Sequence, residues 1–155
     1  MKRVETVHHY PCDADLLWEV VTEYTALNKV MVGLARFDGL PSGHMRQGQN
    51  FEIGLSLFGW FPPKPYHIEI VRCDHGSRTV ETREHGLGLR CWRHTIRVMP
   101  TSKGSRLTEE IEIDGGCLTW LYALWAHLVY RARHAPRLRV LTEMSPQQTM
   151  TNKMS

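Results

Sequence analysis

The stretch "DGGCLTWLYALWAHLVYRARHAPRLRV", residues 114–140, decides the architecture. Between Asp114 and Arg131 it carries no formal charge, and the sixteen residues between them include two Trp and two Tyr. That run falls short of the roughly 18 to 20 apolar residues that cross a bilayer. It therefore reads as a core helix or the wall of a ligand site, not as a membrane span. Projected at about 100° per residue, Leu118, Leu121, Trp125, Leu128, Val129 and Ala132 gather on one side, with Thr119, His127, Arg131 and Arg133 elsewhere. Leu121, Trp125 and Leu128 are the candidates for its ligand-facing side, while Trp120 and Tyr130 lie off the main stripe. Pro136 removes a helical donor, so the helix should kink or restart near Ala135. The Arg residues that follow (131, 133, 137 and 139) read as a solvated face, or as contact with an anionic surface or a protein.

Upstream of Gly115 and Gly116 the period changes from helix to strand. "RVETVHHY" places Val4, Thr6, His8 and Tyr10 on one face of a first strand. "PCDADLLWEVVTEY" then reads as a helix with Asp13 as its N-cap, followed by a short helix or turn over residues 25–31. From about Val32 to Asp114 strand follows strand, and two hairpins share one parity. Centring turns on "DHGS" and on Leu87 pairs Ile70 with Val80, Ile68 with Thr82, Tyr66 with Glu84, Thr82 with Trp92 and Val80 with His94. The apolar residues stay on one face throughout, and the other face collects Glu81, Arg83, Arg93 and Arg97 for water. A sheet with one wet and one apolar face needs a cover, which the final helix supplies.

Composition narrows the function. A chain of 155 residues suits one domain, residues 1–144, and the polar tail "SPQQTMTNKMS", residues 145–155, is expected to be disordered. The net charge of +3 is too small to argue for nucleic acid, and the Arg residues are interleaved with Glu. Cys12, Cys73, Cys91 and Cys117 are widely spaced with no CxxC or His/Cys ligand pattern, so neither a metal site nor a redox dithiol is expected. No cofactor is expected either: "HGLGLR" is a hairpin turn with no helix after it, and no GxSxG is present. The amino end lacks the apolar core of a secretory signal, which makes a cytoplasmic location with reduced thiols the expectation.

In its order of elements the chain resembles the START-like, Bet v 1-like superfamily, and within it the bacterial polyketide cyclase/dehydrase-type SRPBCC proteins. The likeness covers roughly residues 3–144. It rests on Pro11, Asp13 and Trp18 entering the first helix, the meander, the closing strand "SRLTEEIEIDGG", and Gly115–Gly116 before the last helix. Where many relatives carry Trp–Pro after the second helix, this chain reads "NKVMVGLARF". The resemblance implies an α+β helix-grip fold, in which a curved antiparallel sheet of six to seven strands wraps a long C-terminal helix, with two short helices after the first strand. It also implies an elongated apolar cavity between sheet and helix. Members hold lipids, sterols, quinones or aromatic polyketides there, and some catalyse cyclisation, dehydration or hydrolysis.

Two inward residues stand out as chemistry-bearing. His94 lies between Trp92 and Ile96, and Glu109 interrupts the row Leu107, Ile111 and Ile113. A buried carboxylate without a partner costs several kcal/mol or neutralises, so a His94–Glu109 pair is the economical solution. Such a pair is either an acid/base couple acting on a ligand hydroxyl or enol or a structural hydrogen bond, unless Glu109 reaches the cavity mouth. Tyr66, Thr82 and Trp92 are further candidates for lining the cavity, with Glu84 and Arg90 expected as an ion pair on its rim. In "LFGWFPPKPYH", Phe58, Trp60 and Phe61 precede three prolines. That loop is either a lid over the entrance, a tip that touches membrane transiently, or a crossover folded onto the core. Three functions compete: binding of a small hydrophobic or aromatic ligand (lipid, quinone or polyketide-like), a cyclase/aromatase- or dehydratase-type enzyme using His94 and Glu109, and a partner-binding module whose cavity is filled.

Overall fold

The computed structural model describes the backbone of residues 1–153 and the side chains of residues 1–145. Strand β1 (Lys2–Tyr10) leads into helices α1 (Ala14–Thr22) and α2 (Tyr24–Val30). Six strands follow: β2 (Ala35–Asp38), β3 (Asn50–Leu57), β4 (Lys64–Asp74), β5 (Thr79–Gly86), β6 (Leu89–Thr101) and β7 (Gly104–Asp114). A short 3-10 turn at Gly116–Leu118 opens the terminal helix, which runs as α3 (Thr119–Ala132) and α4 (His134–Lys153). Among the described residues the seven strands form one antiparallel sheet in the order β1-β7-β6-β5-β4-β3-β2. This is the α+β helix-grip arrangement expected, with seven strands.

Local chemistry explains the entry and the exit. Asp13 caps α1 by accepting from Leu16 N at 2.8 Å, and Leu17 and Val21, one turn apart, are buried on its inner face. The terminal helix breaks at Arg133 because Pro136 has no N–H for the Ala132 carbonyl. In α4 Pro136 occupies the first turn, where a donor would have no intrahelical acceptor. The backbone of α4 continues past Ser145, so the helix does not end where the tail was expected to begin. The side chains of residues 146–155, and with them the expected disorder, lie outside the described residues.

Both hairpins keep the expected parity but slip by two residues. Ile70 faces Thr82 and Ile68 faces Glu84, with an irregularity between Ile70 and Arg72. Across the next pair Val80 faces Ile96, Thr82 faces His94 and Glu84 faces Trp92. The tight turn at Leu87 and Gly88, with φ of 55° and 82°, and an irregularity between Glu84 and Gly86 together set that register. A slip of two leaves every side chain on its own face, so the inward rows stand. Outside, ion pairs such as Arg93–Glu112 and Arg72–Glu81 face water.

The apolar interior has two parts. One joins α1, α2 and α4 to Ile70, Val80, Ile96, Val98 and Leu107. The other joins α3 to Tyr66, Trp92, Ile111 and Ile113. His94 and Glu109 stand at the seam, since Ile96 pairs with Glu109 and His94 with Ile111. The face that α3 buries is not the one projected from its Leu residues. Ala123, Ala126, Val129 and Tyr130 are buried, whereas Leu118, Leu121, Leu124 and Leu128 are exposed. Small Ala side chains let the helix lie close on the sheet. Among the described residues no helix is long and apolar enough to cross a membrane.

Candidate functional site

Between α3 and the β2–β6 part of the sheet lies a cavity of ≈ 270 Å³. Its walls are apolar: Met31, Phe37, Leu55, Leu89, Trp92 and Trp125 contribute, and Tyr122 and Leu87 close one side. Two close approaches shape it. A Cβ at Gly86, whose φ is 141°, would stand 2.7 Å from the Tyr66 ring and 2.8 Å from the Pro65 carbonyl. One at Gly115 would stand 2.5 Å from the ring of Tyr122, whose hydroxyl donates to the Leu87 carbonyl. The cavity floor is polar, formed by Tyr66, Glu84, Tyr130 and Arg133. Behind it a second chamber of ≈ 80 Å³ shares those residues and adds His94, Glu109, Thr82 and Arg137.

Glu109 is fully buried, and its principal partner is not His94. Arg137 Nη2 donates to Glu109 Oε1 at 3.2 Å, and Arg133 Nη1 stands 3.8 Å from the same oxygen. Arg137 also donates to Tyr10 Oη at 3.2 Å. His94 Nε2 lies 4.0 Å from Glu109 Oε1, beyond hydrogen-bond reach, so the expected His–Glu hydrogen bond is absent. Burial by itself would lift the Glu109 carboxyl, but Arg137 and Arg133 outweigh it and hold the group below its ordinary value. Burial pushes the His94 imidazole down to about 4, with Arg133 and Arg137 adding to the effect against the pull of Glu109. His94 is thus neutral at pH 7. Tyr130 Oη lies 3.3 Å from its Nδ1, and a hydroxyl donating there leaves the ring proton on Nε2. His94 Nε2 and Glu109 Oε2 are buried without a hydrogen-bond partner among the described residues.

Nearer the apolar chamber, Tyr66 donates to Glu84 Oε2 at 2.9 Å and Thr82 donates to Oε1 at 2.6 Å. Burial lifts the Glu84 carboxyl above its ordinary value, and the two hydroxyls and Arg133 offset only part of that. Glu84 therefore belongs to the cavity floor and not to a rim pair with Arg90, because the register slip sets it opposite Trp92.

Of the residues singled out in the sequence, Tyr66, Trp92, Leu121 and Trp125 line the larger chamber, and Thr82, His94 and Glu109 line the smaller one. Leu128 does not: it is 58% exposed, because α3 is apolar nearly all round and hydrophobicity alone misplaced its buried face. Phe58, Trp60 and Phe61 are exposed, with Trp60 at 79%, and they contact one another instead of folding onto the core. Their loop follows directly on Leu57, which lines the cavity. Sequence reasoning misses the placement of Arg133 and Arg137: expected on a solvated or surface-contacting face, they are buried. A signal was available: they stand one turn apart on the terminal helix, and an inward Glu109 requires a cation. Among the described residues no group of three His, Cys, Asp or Glu is placed to hold a metal ion.

The fold has clear likenesses. Protein MLL2253 from Mesorhizobium loti matches with a TM-score of 0.72 at 13% identity, over 92% of this chain and 98% of that one. Norcoclaurine synthase from Thalictrum flavum, a point mutant in complex with a transition-state analogue, matches with 0.64 at 18% identity, over 93% and 96%. Major latex-like protein 151 from Panax ginseng matches with 0.58 at 14% identity, over 88% and 97%. The class that the architecture defines is the Bet v 1-like helix-grip fold. Within it, the chain belongs to the family described as "Domain of unknown function (DUF8410)", whose model matches residues 9–141. No curated protein matches the chain in sequence.

Proposed function

We propose that the protein binds a small hydrophobic or aromatic molecule, such as a lipid, quinone or polyketide-like compound, between the sheet and the terminal helix. The observation that carries this reading is the ≈ 270 Å³ apolar chamber ending on a polar floor of Tyr66, Glu84, Tyr130 and Arg133. Ligand pockets combine a mostly apolar wall with a few placed polar groups that fix orientation. The Phe58–Phe61 loop is its lid, with transient contact of that tip with a membrane as the secondary role. The test is native mass spectrometry with organic extraction of protein purified from its own host. A reproducible small molecule is expected, and Ala35→Trp, which fills the chamber, should lose it while remaining folded. A protein that carries nothing in repeated preparations, and that binds no apolar probe, would favour the partner-binding reading instead.

A second reading, acid/base catalysis on the bound molecule, is favoured by one observation: His94 Nε2 and Glu109 Oε2 line the inner chamber without hydrogen-bond partners among the described residues. With the ligand identified, His94→Ala and Glu109→Gln separate the two. Turnover that collapses while binding survives marks a cyclase- or dehydratase-type enzyme, and unchanged turnover removes both residues from the chemistry.

A further inference from the structure

Arg133 is a buried cation with little to bind. It sits at the break between α3 and α4, is 8% exposed, and lines both chambers. A guanidinium has five N–H donors and stays protonated in proteins. Among the described residues only Nε has an acceptor, the weakly accepting thioether of Met31 at 3.0 Å. The nearest carboxylate oxygen, Glu109 Oε1, is 3.8 Å from Nη1 and already accepts from Arg137. Arg133 Cζ lies over the Tyr130 ring, 4.1 Å from its centroid, which holds the group in place without using its N–H bonds. Glu84, the other carboxyl in the floor, accepts from Tyr66 and Thr82 and forms no ion pair with Arg133. Two buried guanidinium groups, Arg133 and Arg137, thus share a single directly paired carboxylate, Glu109. Donor capacity is left over at the inner end of an apolar chamber.

We propose that the ligand is an amphiphile with an acidic oxygen head, a carboxylate or an ionised enol or phenol, and that Arg133 binds this head while the apolar body fills the larger chamber. The inference rests on the cavity-binding reading and adds the chemistry of the head group. Charge-assisted hydrogen bonds to guanidinium are short, can be bidentate, and are about twice as strong as neutral ones. An engineered cavity of about 150 Å³ takes benzene, so a chamber of ≈ 270 Å³ suits a two-ring aromatic or a medium-length acyl body.

The experiment compares 2-naphthoate with 2-naphthamide, and decanoate with decanamide, by calorimetry and by quenching of Trp92 and Trp125, which line the chamber. At pH 7.5 each acid should bind about ten- to a hundredfold more tightly than its amide. Arg133→Met should abolish that preference, bringing acid and amide affinities within about threefold of each other, and Arg133→Lys should retain part of it. Should Arg133→Met not fold, the wild-type acid/amide ratio and the Lys variant still decide. Equal binding of acids and amides by the wild type would overturn the head-group assignment and leave the cavity reading standing. So would a preference that survives in folded Arg133→Met. Failure of all four compounds to bind would overturn both.

Discussion

Glu109 is fully buried, and its charge is what makes two buried guanidinium groups tolerable. Glu109→Gln leaves Arg137 and Arg133 without a counter-charge, and removing one partner of a buried ion pair typically costs about 3–5 kcal/mol. Urea denaturation at pH 7 should read a loss of that order. Because the folded-state Glu109 carboxyl is held below 4.5, its contribution is complete above that pH and is lost as pH falls through the folded value. The acid-side loss of stability below pH 4.5 should therefore be smaller in Glu109→Gln than in the wild type. His94 acts in a higher window. Its folded value is about 4 against 6.5 unfolded, so the unfolded chain takes up a proton first. Stability should fall from pH 6.5 down to pH 4, by at most about 1.4 kcal/mol per unit. A His94→Gln variant should flatten that segment of a melting-temperature profile, and an unchanged slope would contradict the buried neutral imidazole. His94 and Glu109 were readable in the sequence because each interrupts an apolar alternation. Their partners were not, because pairing depends on which turn of the helix meets which strand.

At the scale of elements, α3 and the β5–β6 hairpin set the shape of the chamber. The hairpin turn is held to the helix by Tyr122 and Leu87, and Gly86, lacking a Cβ, leaves room for the Tyr66 ring. Gly86→Ala places a methyl against both that ring and the Pro65 carbonyl. It should destabilise the protein by about 1–3 kcal/mol, measured by chemical denaturation. The strands, their inward faces and the two short helices followed from period and capping. The register of both hairpins did not, since in each the turn and a strand irregularity, between Ile70 and Arg72 in one and between Glu84 and Gly86 in the other, together shift the inward pairings by two. Parity survives such a shift, which is why the inward rows were right while the partners were wrong. The buried side of α3 escaped for a different reason. A helix with Leu or Trp on most faces offers no contrast to project, and the small residues Ala123 and Ala126 mark the true contact.

For the molecule as a whole, the exposed aromatic loop follows directly on Leu57, which lines the chamber. Replacing Phe58, Trp60 and Phe61 together by Ser removes side chains that are 44%, 79% and 50% exposed. Stability should change by no more than about 0.5 kcal/mol per site, as for ordinary surface substitutions. Ligand release in stopped-flow should become faster if the loop is the lid, and unchanged release with unchanged stability would remove it from that role. By itself the sequence determined the order of elements, the one-sided sheet, the covering helix and the two ionisable residues on the inward face. These depend on local period and on the cost of burying charge, and both are written along the chain. Only the tertiary structure decided that Arg133 and Arg137, not His94, neutralise Glu109, and that Glu84 faces the cavity. It also decided that α3 turns its Leu side outward. Each of these is a matter of register and helix rotation between segments far apart in the chain, set by close packing and not by any periodicity within one segment.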